Sequence, residues 1–381
     1  MLSSPNASHL ERWLGADTLA RIQRDMAGWY GPPIPISDVP GEVWIAKDGD
    51  FIGGLAAEKH VPGGQYFSAL DAIRDTEIKR RKAQARLAGH RRKQSGMAGF
   101  TSLSDLLNEA TVAGKMQPLQ GNIQKIGTAG QAVATTNSLW RVTVTPGAGA
   151  AAGAAPGGTV PTSATTGAFQ FANPPGGDLQ YVIGGDISST VATNSLLLYA
   201  RIFAVAINPN TTGAQAITGV PTLYQNATAG QPDSIVGNFA FMEVGTALAA
   251  TAHNFTMTYK DQANNAAEAA PVTTGVNGAI INRLDHAGWF IPLNATDSGI
   301  RNATDVTMSA AVATGAMDLV IGHPVSWFAF PIANIVTPFD FAFQRMAPGR
   351  IFDSACLALL EVGKGSTTAT TYTGTIWSAW G

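Results

Sequence analysis

The side chains able to do chemistry are few and scattered. Six histidines stand at His9, His60, His90, His253, His286 and His323, and no two of them have a metal-ligand spacing. Asp285-His286 with Ser298 offers the residue types of a nucleophile, its base and an orienting acid. No nucleophile-elbow pattern surrounds Ser298, and a chain this rich in Ser and Asp supplies such triples by composition. His286, beside Gly288-Trp289, therefore reads as a loop or rim residue. Gly147-x-Gly149-x-x-x-Gly153 has the wrong third spacing for a dinucleotide loop, and the segment after it is rich in Pro and Thr rather than helical. Gly363-Lys364-Gly365-Ser366 fails the spacing of a phosphate loop and reads as a polar hairpin turn. Cys356 lies in the apolar run Ala355-Cys356-Leu357-Ala358-Leu359, the setting of a buried, inert thiol. A single cysteine also excludes a disulfide scaffold. The expectation is a chain with no catalytic centre, no cofactor and no metal.

Trp289, Trp327, Trp377 and Trp380 have the flat faces of a sugar platform, but core or subunit-interface packing is the commoner use of tryptophan. Trp377 and Trp380 stand close to the C-terminus. A free tail there would leave both wet, so Thr375–Gly381 is expected to be tied into a sheet or a neighbour.

The elements that must position these residues fall into two kinds, which the charge distribution separates. Residues 1–100 hold 14 of the 24 Lys and Arg and 11 of the 26 Asp and Glu. The remaining 281 residues carry 10 basic and 15 acidic side chains, so little of that part is charged. The first part reads as a helical and extended arm over residues 1–96. Ser8 and Glu11 form a capping box, Asp17 caps a second helix, and Gly31-Pro32-Pro33-Ile34-Pro35 stops it. Ser68 to Arg92 reads as a helix whose second half is basic, with Lys79, Arg80, Arg81 and Lys82 followed by Arg91 and Arg92. Two readings of it stand: a solvated tether, or a contact with phosphates or an acidic protein surface. No aromatic residues interleave with the basic ones, which argues against base stacking. Residues 97–131 read as a short helix, Leu103 to Ala113, and a connector.

Residues 132–381 read as β, with the option of two subdomains. Leu139–Val144, Phe239–Val244, Phe255–Tyr259 and Val306–Ala310 alternate with the period of two of a half-buried strand. Leu196–Val205, Leu319–Ile321, Cys356–Val362 and Thr371–Trp377 add further strands, and Pro, Gly, Asn and Asp punctuate the intervals. The expected fold is mainly β, an antiparallel, jelly-roll-like sandwich body behind a helical and extended N-terminal arm. Pro146–Gly158, almost wholly Ala, Gly and Pro, reads as a flexible or closely packed loop. So few Lys and Glu leave the sheets without the usual guard against edge pairing, so the body is expected to self-associate. No apolar window is long enough for a membrane-spanning helix, and Met1–Leu14 lacks the apolar core of a secretory signal. The expectation is synthesis in the cytoplasm, with no membrane contact.

Several phrases carry a resemblance. They are Thr101-Ser102-Leu103-Ser104-Asp105-Leu106-Leu107, Ser138-Leu139-Trp140-Arg141-Val142, Ala164-Thr165-Thr166-Gly167-Ala168 and Leu196-Leu197-Leu198-Tyr199-Ala200-Arg201, then Gly245 to Thr251, Thr256 to Asn264, Asp297 to Arg301 and Arg350 to Leu357. Together, over about residues 100–381, they resemble a β-rich structural protein of tailed bacteriophage virions. The resemblance implies a virion location and a capsid decoration or cement protein. Its partners would be the major capsid protein and copies of itself in a homo-oligomer such as a trimer. On that view the arm clasps neighbouring subunits through Trp13, Trp29, Tyr30 and Trp44. A tail, neck or baseplate component and a carbohydrate-binding receptor protein are the rival readings.

Overall fold

The computed structural model describes residue 100 and residues 103–226, 234–340 and 349–381. The expected arm lies outside the described residues, and with it Trp13, Trp29, Tyr30, Trp44, Lys79, Arg80, Arg81, Lys82, Arg91 and Arg92. The described residues form a mainly β, antiparallel sandwich. Ten strands of four residues or more make its framework. They are β1 (Met116–Ile126), β2 (Gln180–Ser189), β3 (Asn194–Ile207), β4 (Phe239–Thr246), β5 (Asn254–Asp261), β6 (Ile300–Met308), β7 (Ala316–Phe330), β8 (Thr337–Asp340), β9 (Leu357–Val362) and β10 (Thr371–Trp380). One short helix, α1 (Leu103–Leu107), runs into a π-helical turn at Asn108–Val112. Among the described residues no helix is long and apolar enough to cross a membrane.

The central sheet has the order Asn137–Ser138, β9, β3, β7, β4, and Gly153–Ala154 pairs parallel to β3. A second sheet runs β8, β2, β10, β1, Val144–Thr145. A third is built on β5 and β6, flanked by Glu268–Ala269 and Gln215–Ala216. The large core lies between them. Leu196, Leu198, Met242, Leu319, Ile321 and Leu359 of the central sheet pack with Leu119, Ile187 and Ile376 of the second and with Phe255, Met257 and Val306 of the third. The opposite face of the central sheet is also buried, under Trp140, Leu197, Tyr199, Phe241 and Leu360. Burial on both faces explains why β3 is a nearly continuous apolar run, whereas β5 alternates strictly between buried and half-buried positions.

Three expectations need correction. Leu139–Val144 is not a strand: the ladder ends at Ser138, and Trp140 and Arg141 turn inward. The connector expected up to residue 131 contains β1, an eleven-residue strand paired along β10. Gln120, in left-handed backbone, sits in the irregularity between Leu119 and Ile123, which hides the strand's period. The sheets are also guarded at their edges, by shortness rather than by charge. Val144–Thr145, Gln215–Ala216, Glu268–Ala269 and Asn137–Ser138 are two residues long, and β8 is four residues long and contains Pro338. The long strand that ends the central sheet, β4, is covered by the segment 282–291, whose amides at Asp285 and Ile291 donate to the Met242 and Ala240 carbonyls. The tail behaves as expected, since Trp377 and Trp380 lie in β10 between β2 and β1.

The second face of the central sheet carries an ionic cluster. Asp318 of β7 stands directly across from Glu243 of β4, both almost fully buried. Like charges opposed across strands repel. Two arginines neutralise them. Arg201 of β3 donates to Glu243 at 2.8 Å, and Arg141 pairs with Asp318 and reaches 3.9 Å from Glu243. Arg201 also donates to the Tyr199 hydroxyl at 3.3 Å and lies 4.9 Å over the Trp140 ring. Burial, then the Glu243 charge, raise Asp318 above the ordinary carboxylate range, against the pull of both arginines. The glycine-rich segment closes this cluster as a packed strap. Ala152 donates its amide to Asp318, and the Trp140 indole donates to the Ala150 carbonyl at 3.0 Å. A Cβ on Gly149 would sit 2.1 Å from the Trp140 ring, so no other residue fits there. Gly245 likewise leaves room for Arg141, whose guanidinium would lie 2.4 Å from an added Cβ.

Removing one partner of such a cluster leaves a buried charge without compensation, which costs about 3–5 kcal/mol. Arg201→Met should therefore lower the unfolding free energy by about that amount in urea denaturation. Arg201→Met with Glu243→Leu should recover part of the loss. Equal destabilisation in the single and double variants would contradict the assignment.

Candidate functional site

Among the described residues an open cleft of about 390 Å³ lies beside the irregular loop 289–298, lined among others by Phe239, Trp289, Phe290, Asn294, Asp297 and Ser298. The central sheet supplies its aromatic wall. Trp289 packs edge-on against Phe239 of β4 at 4.9 Å between ring centroids, against Phe290 at 4.7 Å and against Trp327 of β7 at 6.2 Å. These contacts fix the Trp289 ring, while Phe290 stays 41% exposed. Ile291, buried between the two walls, anchors the loop by donating its amide to Ala240 at 2.7 Å.

The third sheet supplies the polar wall. The buried Tyr259 hydroxyl of β5 donates to Asp297 and accepts the Asn294 amide at 3.0 Å. Burial, then the bond to Asp297, hold that hydroxyl above the usual phenol range, so it remains a donor. The Asn294 side chain donates to Glu268 at 2.8 Å and to the Ala269 carbonyl at 3.2 Å. Asp261, Glu268 and Asp297 bring one carboxylate oxygen each within 4.8 Å of one another, the arrangement of a cation-binding group. Each is already hydrogen-bonded. Asn265 donates twice to Asp261, at 2.9 and 2.7 Å, Asn294 donates to Glu268, and Tyr259 donates to Asp297. The trio thus braces the loop from behind.

The triple considered in the sequence does not assemble. Asp285 pairs with His253, not with its neighbour His286: His253 Nε2 lies 2.8 Å from Asp285 Oδ2, with both side chains fully buried. His253 Nδ1 meets the Thr251 carbonyl at 2.9 Å, so both ring nitrogens face acceptor groups, a setting that favours the protonated ring. His253 is raised above the ordinary histidine value by Asp285 and Thr251, against the opposing effect of burial. His286 is the reverse case. It is buried, not a rim residue. Its Nε2 accepts the Met242 amide at 3.3 Å, its Nδ1 donates to the Ala287 carbonyl at 3.0 Å, and burial pushes it down to about 4. Ser298 is held elsewhere, its amide donating to Gln262 at 3.0 Å and its carbonyl accepting from Gly237 at 2.7 Å.

The other candidates are also structural. The Gly363–Ser366 segment is a crossover from β9 in the central sheet to β10 in the second sheet, not a hairpin. Lys364 is fully buried there, within 3.5 Å of Glu361, which also accepts from Tyr372 at 2.9 Å and from Asn137 at 3.2 Å. Lys125 donates to the carbonyls of Val142, Pro146 and Gly147, and burial lowers it to about 8. Cys356 is the expected buried thiol, pushed up to about 12 by desolvation. Of the four tryptophans considered as a platform, Trp289 lines the cleft and Trp327 packs against it, while Trp377 and Trp380 belong to β10 of another sheet. The sequence reading missed Phe290, Asn294 and Asp297 as a group. The signal for them was the turn Asp297-Ser298-Gly299, read only as punctuation. Compared with protein-family models, with curated proteins and with solved structures, the chain matches none.

The two histidines tilt stability in opposite directions with pH. His286 stays neutral when folded, so its contribution is complete above about pH 6.5 and is lost as pH falls to about 4. That depression corresponds to roughly 3 kcal/mol. His253, raised on folding, contributes fully below the unfolded value of about 6.5 and loses that contribution as pH rises through its folded value. Between pH 6.5 and 4 the wild type should thus lose about 3 kcal/mol more than His286→Phe does. Above pH 6.5 it should lose stability that His253→Gln retains. Parallel pH profiles of unfolding free energy for wild type and variants would refute both assignments.

Proposed function

We propose that this chain is a structural subunit that acts by assembly, and that its setting is the virion of a tailed bacteriophage, as a capsid decoration or cement protein. The observation that carries the assembly reading is one turn. Between β7 and β8 the chain runs Pro331-Ile332-Ala333-Asn334-Ile335-Val336, with no charged residue. Ile332, Ile335 and Val336 are 56, 51 and 55% exposed. Single exposed apolar residues are ordinary, but three in one uncharged turn form a surface that favours a protein contact. Covering the exposed half of each such side chain is worth about 0.8–1.5 kcal/mol.

Two further features support the reading. The buried ionisable side chains Arg201, Glu243, Asp285, His286 and Lys364 are occupied with other side chains or with backbone. The strands that end the sheets are short or, like β4, covered, which favours contact through the turn over strand addition. The phage setting rests on the resemblance of the quoted phrases over residues 100–381. The partners that follow are the major capsid protein and further copies of this chain.

The triple variant Ile332→Ser, Ile335→Ser, Val336→Ser should lower self-association at least tenfold in sedimentation velocity, with the melting temperature within a few degrees of wild type. Antibodies raised against the chain should label phage heads at many regular positions in electron micrographs. Label confined to tails would move the subunit there, and particles free of the protein would end the virion reading.

A further inference from the structure

We infer that the cleft beside loop 289–298 is a binding site for a neutral saccharide. The inference stands apart from the assembly reading, because it uses a different surface. Saccharides present two chemistries at once. The C–H groups on one face of a pyranose make a flat apolar patch, and the hydroxyls around the rim need hydrogen-bond partners. The cleft offers both. Phe290 and Trp289 give aromatic surface, and the edge contacts to Phe239 and Trp327 hold the Trp289 ring before any ligand arrives. On the other side Asn294 keeps its side-chain carbonyl oxygen, its two N–H groups being committed to Glu268 and Ala269, and Asp297 and Ser298 add a carboxylate and a hydroxyl. Tyr259 and Glu268 clamp Asp297 and Asn294 from behind, so their ordering cost is met before binding.

Size and charge narrow the class. A cleft of about 390 Å³ takes a short oligosaccharide stretch, and lies within the range of about 300–1,000 Å³ common to small-ligand sites. Among the described residues no Lys or Arg lines it, and Asp297 is the carboxylate on its lining, with a carboxylate oxygen of Asp261 and of Glu268 within 4.8 Å behind it. That field repels phosphates, sulfates and acidic sugars and accepts hydroxyl donors. A peptide fits less well. Peptides commonly add to a free strand edge, and this wall is an irregular loop whose Ile291 amide is already committed to β4.

The test uses the full chain and saturation-transfer difference NMR, with titration by intrinsic fluorescence. The probes are maltohexaose, cellohexaose, chitohexaose, mannohexaose and a β-galactan hexamer, set against a heparin hexasaccharide and a lysine-rich decapeptide. At least one neutral probe should bind at a single site, with signal strongest at ring C–H protons, and the heparin fragment should not. Phe290→Ala and Asp297→Asn should each weaken that binding at least tenfold, while the Ile335→Ser variant binds as wild type does. Both site variants should keep their near-ultraviolet circular dichroism, which separates a lost site from a lost fold. Silence from all five neutral probes, undiminished binding in both site variants, or binding of the lysine peptide alone would overturn the inference. None of these outcomes bears on self-association through the turn at Ile332–Val336.

Discussion

Two carboxylates facing each other across adjacent strands of a dry sheet set the terms for this body. Asp318 and Glu243 repel each other there unless cations stand beside them, and those come from two directions. Arg201 arrives along β3, from inside the sheet itself. Arg141 arrives from the turn where a strand was expected. The departure from regular pairing at Trp140–Arg141 is thus explained by the charge it delivers. The glycine-rich strap follows from the same need, because the Trp140 ring that covers Arg201 leaves room for nothing larger than glycine at position 149. Replacement of such a cluster by apolar residues is often neutral or stabilising, so its value here is better read as specifying register between β3, β7 and β4.

The fold class was legible because period and burial agree in most of the chain. β5 alternates in sequence as it alternates in space, and β3 is apolar throughout because both its faces are covered. Legibility failed where a backbone irregularity or a tertiary contact overrode the local pattern. β1 was hidden by the irregularity after Leu119, β2 by its paired glycines at 184 and 185, and Leu139–Val144 alternated without being a strand. The cleft was less legible still. Its aromatic wall comes from two strands and a loop, and the donor that organises its polar wall, Tyr259, reads in sequence as an ordinary inward-facing strand residue. Asp285 illustrates the general difficulty: its neighbour in sequence is one histidine and its partner in space is another, 32 positions earlier.

The low charge of the β part has acquired a more definite meaning. Much of it is inward-facing, in Arg201, Glu243, Asp318, Asp285, Glu361, Lys364 and Lys125. A body with few charges has spent many of them on its interior, and its exterior is left to threonine, alanine and short loops. Protection from edge pairing then cannot come from lysine and glutamate. It comes from geometry, in edge strands two to four residues long and in the segment laid over β4.

The placement of β10 has a consequence for the order of events during synthesis. Residues 371–380 lie between β2 and β1, with Met116 paired to Ala379 and Trp380 to Gln180. As the chain leaves the ribosome, β1 and β2 emerge early and find no strand to join them. The second sheet must wait until nearly all of the described body has been made, and closing contacts so distant in sequence is intrinsically slow. The central sheet waits as well, since β9 follows β7 late in the chain. The nascent body is therefore a set of incomplete sheets for most of its synthesis, and folding is completed as a late, concerted closure rather than strand by strand.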